Sequence, residues 1–165
     1  MIENLDLKII MLSFHQLSAY IEPGKLENEL GLKLNNRVVS EKVKAKITTQ
    51  ILPEIKEGKA ENVFFTFWII IDKQKNEIAA EFCFKGLPVN QKAEIGYTTF
   101  PQFQNRGIMT QALQEISKWI FEYTDLNAIL AQTSPQNLAS IKVLEKSSFK
   151  LIKAEPENMI WERTR

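Results

Sequence analysis

Residues 93–109, AEIGYTTFPQFQNRGIM, read as a short strand, a sharp turn and a helix that opens on Gly107. Residues 94–99 have β-type composition, and Pro101 stops the strand because its nitrogen carries no N–H for a ladder. The turn Gln104-Asn105-Arg106-Gly107 then enters a strongly periodic helix. Unpaired N–H groups and the positive end of the helix dipole favour an anion at such a point. Gly107 has no side chain to hold a bulky pyrophosphate off the backbone. The chemistry this suits is group transfer from a nucleotide-like carrier. The turn lacks the lysine and second glycine of a nucleotide-triphosphate loop, and the three spaced glycines of a dinucleotide fold, so alone it does not fix the ligand.

The elements around the turn decide whether it sits in a site. Ser13 and Gln16 have the spacing of a capping box, and Phe14, Leu17, Tyr20 and Ile21 fall on one helical face. Pro23-Gly24 interrupts that helix, and Leu26 and Leu30 sit one turn apart before a stop at Gly31. Ser40 is placed to cap a third helix carrying Val43, Ile47 and Ile51, with an end at Pro53. The first third, about residues 1–60, is therefore expected to be helical and joined to the rest by a loop near Gly58. Residues 63–71 are aromatic and β-branched, as in a buried strand. Residues 78–85 form a second strand, with Ile78, Ala80, Phe82 and Phe84 expected on one face. With the strand at Glu94 they imply an antiparallel meander.

From Gly107 the pattern is α/β. Met109, Ala112, Leu113, Ile116, Ile120 and Tyr123 make a helical stripe, residues 126–132 a strand, and Asn137 opens a helix carrying Leu138, Ile141 and Leu144. Residues 149–153 and 159–162 close the chain as a hairpin. No repeat or long linker divides it, so one mixed α/β domain over residues 1–165 is expected, with a core at about 63–165.

Composition excludes several classes of function. The 165 residues suffice for one domain with a real core. Lys+Arg 21 against Asp+Glu 20 leaves +1, so no global field recruits nucleic acid or an anionic membrane. The longest apolar run, residues 63–71, is half of what a membrane helix needs. The amino terminus, MIENLDLKIIML, carries two acids and no basic leader, so a signal peptide is not expected. A single cysteine, Cys83, allows no internal disulfide and suits a reducing cytoplasm. With one His and one Cys no metal cluster is expected.

Two segments together match a known pattern. Gln104-Asn105-Arg106-Gly107-Ile108-Met109 resembles the Q/R-x-x-G-x-G/A acyl-CoA loop of the GCN5-related N-acetyltransferase (GNAT) family. Asn137-Leu-Ala-Ser140-Ile-Lys-Val-Leu144-Glu145-Lys146, followed by Phe149, resembles that family's N-x-x-S/A-x-x-x-x-E-K-x-G-F helix. Gly107-Ile-Met-Thr110-Gln111-Ala112 and the strand Glu94-Ile95-Gly96-Tyr97 look most like the branch of ribosomal-protein N-terminal (alanine/serine) acetyltransferases. The detailed likeness covers about residues 93–153.

What the resemblance implies is a mixed, mostly antiparallel sheet with helices on both faces and a splayed central strand pair. The pyrophosphate of acetyl-CoA would lie on the backbone of Gln104, Asn105, Arg106, Gly107, Ile108, Met109 and Thr110. The pantetheine would lie between the strand end at Thr98, Thr99 and Phe100 and the strand at 126–132, near Asn137 and Ser140, pairing with backbone as an added strand does. An amine would attack the thioester directly, without an acyl-enzyme and without a metal. The partners implied are acetyl-CoA and an amine acceptor, in a monomer or homodimer. The other reading is a non-catalytic acyl-CoA-binding module of the same fold.

An ammonium cannot attack, so something must take its proton. Glu94 is the leading candidate base, against the reading that it is a surface carboxylate or only orients its neighbours; Glu81 is the substitute, and a water chain the third route. Where several family members carry a tyrosine acid, seven residues after the helix asparagine, this chain has Leu144. A thiol with a pKa near 8.5 leaves without a strong acid, so activity is not thereby lost. Ser140 either hydrogen-bonds the sulfur or is simply small enough to admit the cofactor. Met109, Gln111 and Ser148 also depart from the pattern. His15 is read as exposed, Cys83 as a small core residue, Trp68, Trp119 and Trp161 as core, and Lys42, Lys44 and Lys46 as a solvated face.

Overall fold

The computed structural model describes residues 1–56 and 63–165, so the loop expected near Gly58 lies outside the described residues. Eight strands form one open sheet in the order β1-β2-β3-β4-β5-β6-β8-β7. They are β1 (Ile2–Glu3), β2 (Leu7–Met11), β3 (Phe67–Asp72), β4 (Glu77–Phe84), β5 (Lys92–Thr99), β6 (Ala128–Thr133), β7 (Lys150–Ala154) and β8 (Met159–Thr164). Every neighbouring pair is antiparallel except β5–β6, which runs parallel. The expected meander of β3, β4 and β5 is present, and the closing hairpin inserts β8 beside β6.

The first third is not wholly helical. Residues 2–11 add β1 and β2 to the sheet, because Leu7 and Ile9 alternate with Lys8 and bury against β3. The helices α1 (Phe14–Tyr20), α2 (Lys25–Leu30) and α3 (Glu41–Lys46) follow. Ser13 caps α1 through the reciprocal bond with Gln16, Gly31 ends α2 at φ 66°, and Ser40 caps α3. Pro53 does not end the third helix. A π turn at Ile47–Ile51 widens the spiral, with the Leu52 N–H reaching back to Ile47, and α4 (Leu52–Lys56) continues through the proline. The wider turn makes room for a ring that would clash in a regular helix.

Side-chain contacts show which face each helix covers. Glu81 and Cys83 of β4 meet Tyr20 of α1 and Lys46 of α3, so α1 to α4 lie over that face. Phe82 stacks on Trp68, and Trp68 meets Trp119 of α5 (Ile108–Tyr123) edge-on, so α5 covers the other. Tyr97, the cross-strand partner of Phe82, meets Ser140 of α6 (Leu138–Lys146), which lies beside α5. Buried on both faces, β4 carries a bulge: Ile70 faces Ala80 while Ile71 faces Ile78. The extra residue Ala79 therefore turns Ile78 to the face opposite Ala80, against the expected alternation. Two members of the expected helical stripes are also exposed, Tyr123 on the last turn of α5 and Leu138 on the first turn of α6.

Under α1 and α2 lies a charged network. Arg37 pairs with Glu27 at 2.5 Å, donates to the Tyr20 carbonyl at 3.3 Å and stacks over the Tyr20 ring, 4.4 Å from its centroid. The Tyr20 hydroxyl donates to Glu81. Breaking a buried pair from one side leaves an uncompensated charge. Arg37→Met is expected to lower stability by about 3–5 kcal/mol in urea denaturation, and Glu27→Gln added to it should recover part of that loss. A single variant as stable as wild type would show that the pair contributes nothing.

Candidate active site

The parallel ladder between β5 and β6 is short. It runs from Lys92↔Ala128 to Ile95↔Ala131, after which the strands part. Each stays paired on its outer side, β5 with β4 as far as Thr99↔Ala80 and β6 with β8 as far as Thr133↔Met159. The inner edge of β5 beyond Ile95 is therefore open, and a cleft of about 570 Å³ begins there. Tyr97, Thr98 and Thr99 line one side, Asn137 and Ser140 of α6 the other, and Gly107, Ile108, Met109 and Thr110 close the end.

Local conformation builds that end. A 3-10 turn at Pro101–Phe103 leads to Gln104, whose side-chain amide donates to the Thr99 carbonyl at 3.2 Å. Asn105 at φ 59° and Gly107 at φ 74° are both left-handed and flank Arg106. Gly107 is the N-cap of α5, and no side chain caps that helix. The N–H groups of Ile108, Met109 and Thr110 thus begin the helix with no acceptor a turn behind them. A Cβ added to Gly107 would meet no atom within 4 Å, so the space over the glycine is open. Lys142 and Lys146 of α6 add positive charge along the cleft wall. Together these groups fit a polyanion with an extended, amide-bearing arm.

Not every residue of the sequence pattern faces the cleft. Phe100 is buried beneath it and gives its N–H to Ala79 at 3.0 Å. The Arg106 side chain turns behind the loop to Asp72 at 3.0 Å and lies over the ring of Phe103. The recess behind the loop, about 590 Å³, already has its polar groups engaged: Arg106 pairs with Asp72, the Gln111 amide donates to Asp6 at 3.2 Å, and Lys73 pairs with Glu3 at 2.7 Å. It offers an incoming anion less than the cleft does. Asn137 spends its side-chain oxygen on the Ser140 N–H as the N-cap of α6, so it shapes the cleft wall.

Glu94, Gly96 and Thr98 share the face of Glu81 and Cys83, the face toward α1 to α4. The Glu94 carboxylate is bound by the Lys85 ammonium and accepts from the Gln132 amide at 3.2 Å. Asn158 donates to the Gln132 carbonyl oxygen at 2.9 Å and so fixes which end of that amide meets Glu94. Glu81 is buried under the Tyr20 hydroxyl, and burial raises its carboxyl above the ordinary range. Glu81 is 4% exposed, whereas the Glu94 side chain is 24% exposed, so the two carboxylates differ in access.

Five further residues bear on the site or on the sequence-based expectations. Tyr97, absent from the sequence-based site, places its hydroxyl 2.7 Å from Ser140 Oγ; its signal was a hydroxyl-bearing residue following Ala93 and Ile95 on one strand face. Burial pushes the phenol up to about 12. Leu144 is fully buried. Lys46 is not on a solvated face: its ammonium turns inward to within 3.4 Å of Cys83 Sγ and 3.5 Å of the Phe84 carbonyl. Cys83 is buried and its thiol is pushed up by that burial. His15 is exposed beside Glu29. Among the described residues no group of three or more metal-ligating side chains occurs, and no helix is long and apolar enough to cross a membrane.

Comparison with known proteins places this geometry. A family model described as acetyltransferase (GNAT) domain matches residues 35–150. The chain is 33% identical over 98 residues to the uncharacterized N-acetyltransferase YjdG of Bacillus subtilis, a stretch covering 59% of this chain and 58% of that protein. It is 36% identical over 61 residues to the putative ribosomal N-acetyltransferase YdaF of Bacillus subtilis, covering 37% of this chain and 33% of that one. The matches thus span less than two thirds of these relatives' length. The ribosomal-protein-S5-alanine acetyltransferase of Vibrio fischeri has the same fold, with a TM-score of 0.70 at 16% identity over 98% of this chain and 94% of that one. So does RimL, a ribosomal L7/L12 alpha-N-protein acetyltransferase solved with coenzyme A, with a TM-score of 0.67 at 22% identity over 98% and 95%.

The loop yields a prediction of its own. Gly107→Val puts a β-branched residue at a positive φ, a strain of roughly 1–2 kcal/mol, and fills the open space over the helix start. Calorimetry is expected to show acetyl-CoA binding lost in a variant whose circular dichroism is nearly unchanged. Wild-type affinity in the folded variant would remove this loop from the anion site.

Proposed function

The chain belongs to the acetyltransferase (GNAT) family, and on that premise we propose that it is an N-acetyltransferase moving acetyl from acetyl-CoA directly to a primary amine. The observation that carries the proposal is the open edge of β5 beyond Ile95 with an uncapped helix start at its end; Glu94 lies on the same strand, within the last two pairs of the ladder. The pyrophosphate sits on the N–H groups of Gly107 to Thr110, and the amides of the pantetheine arm take up the free edge of residues 96–99. Residues 1–165 act as one catalytic unit, in the cytoplasm.

Glu94 accepts the amine proton. The amine enters on the face toward α1 to α4, its nitrogen attacks the carbonyl carbon, the C–N bond forms, and the C–S bond breaks with its electrons on sulfur. Glu94 is held in place by Gln132 and Lys85, and an entering ammonium competes with Lys85 for it. The acceptor is a peptide or protein amino terminus or a small amine of low pKa. At pH 7 an α-amine with pKa near 8 needs about 1.4 kcal/mol to be neutral, whereas lysine needs about 4.6 kcal/mol. One carboxylate already shared with a lysine serves the first more readily.

The test is turnover of acetyl-CoA across amines, amino acids and peptides, followed by thiol release. Binding without release under any acceptor would make the protein an acyl-CoA-binding module. With the best acceptor, Glu94→Gln should keep acetyl-CoA affinity and slow turnover by roughly 100-fold near neutral pH. The deficit should shrink as pH rises toward the amine's own pKa, since more amine then arrives uncharged. Wild-type rates from pH 6 to 9.5 would make Glu94 structural, and equal impairment at every pH would point to substrate positioning.

A further inference from the structure

One inward-turned cation has no counter-charge. Arg37 and Arg106 turn inward to Glu27 and Asp72, but Lys46, which also turns inward, meets no carboxylate among the described residues. Its ammonium rests 3.4 Å from Cys83 Sγ and 3.5 Å from the Phe84 carbonyl oxygen, with the Phe67 ring centroid 5.8 Å away. A thiol sulfur and a carbonyl at that range are weak acceptors for a group with three N–H donors. Taking an ammonium partly out of water without an anion is unfavourable. A second ammonium lies beside it. Lys85 binds Glu94, and its stem crosses β5 where Gly96 has no side chain: a Cβ there would stand 3.3 Å from Lys85 Cε. Cys83 is the cross-strand partner of Gly96, so Lys46 and Lys85 approach one spot from two sides. The Cys83 thiol, pushed up by burial, is drawn down by both ammoniums. Solvent reaches this face, since Gly96 is half-buried and Thr98 and Gln132 are exposed.

We propose that Lys46, with Lys85, receives a carboxylate of the acceptor, and that the acceptor is an α-amine whose own residue carries an acidic side chain. This rests on the acetyltransferase reading above. Glu94 takes the amine, and Gly96, with Cys83 opposite it, lies two residues further along β5, roughly 7 Å at the rise of a strand. That span suits a carboxylate at the end of a side chain and is too long for one on the amine's own carbon. Charge decides the same way. Two ammoniums stand against the single carboxylate of Glu94, and an acceptor ammonium alone would make three. A side-chain carboxylate arriving with it gives Lys46 the anion it lacks. It also takes up Lys85, which the incoming amine displaces from Glu94. A basic side chain in that place would face two cations, so the same pair rejects acceptors opening on lysine or arginine.

Calorimetry on the CoA-loaded protein reads the receptor without turnover. The probes are N-acetylated, C-terminally amidated peptides opening on Glu or on Gln and otherwise built of alanine, so the side chain carries the only charge. Wild type is expected to bind the Glu peptide about ten- to a hundredfold more tightly, the scale of a hydrogen bond between charged groups. Lys46→Met, similar in length and uncharged, should bring the two affinities together, while Lys46→Arg should keep them apart. A packing role would order those two variants the other way. In turnover the unacetylated Glu peptide should have the higher kcat/KM, chiefly through KM. Free glutamate carries the same two groups, and its rate against that of the amidated peptide tells a small acceptor from a chain end. Equal affinities in wild type, or a preference for Glu that survives Lys46→Met, would overturn the carboxylate receptor and leave the acetyltransferase reading standing. A preference for Glu without thiol release from either acceptor would overturn that reading instead, and with it the acceptor assigned here.

Discussion

Everything in this molecule that resembles a site follows from one constraint: β5 and β6 pair over four residues and then separate. A strand edge without a partner leaves backbone N–H and C=O groups unsatisfied, and proteins rarely accept that inside a sheet. Here both strands are held from outside, by β4 and β8, so the gap cannot close by sliding one toward the other. The turn at Pro101 and the left-handed residues Asn105 and Gly107 then bring the start of α5 to the open end of the gap. A parallel pair requires a crossover, and this crossover doubles as the anion-facing helix.

The two faces of the sheet divide the work. Toward α5 and α6 the central strands present apolar side chains and Tyr97, whose hydroxyl meets that of Ser140 on α6. Toward α1 to α4 they present Glu81 and Glu94, which differ in their surroundings. Glu81 is locked into the Tyr20 and Arg37 network, whose role is to hold α1, α2 and the segment around Arg37 on the sheet. Glu94 sits at the rim, held by partners that a substrate can displace. A carboxylate needs access as well as basicity to work as a base, and access distinguishes these two.

Much of this was legible in the sequence because it rests on local rules. The Ser13 and Ser40 caps, the Gly31 stop, α5, α6 and the final hairpin follow from spacing and turn chemistry, and the two quoted motifs located the loop and the Asn137 helix. What was hidden depended on tertiary context. β1 and β2 are short strands at one side of the sheet whose alternation is only a few residues long. The π turn before Pro53 and the bulge at Ala79 change phase within elements whose composition gives no warning. The inward turn of Lys46 toward Cys83 and the turn of Arg106 toward Asp72 are choices of long side chains with several partners within reach. Tyr97 was quoted only as part of a strand, since its importance comes from Ser140, 43 residues away.

Amide hydrogen exchange with and without acetyl-CoA addresses the central claim most directly, because that claim concerns which backbone groups meet the ligand. The geometry calls for new protection at residues 96–99 and 107–110, on the two sides of one cleft, and little change at Lys73 and Gln74 behind the loop. Protection confined to the recess behind the loop, or none at the open edge of β5, would contradict the account.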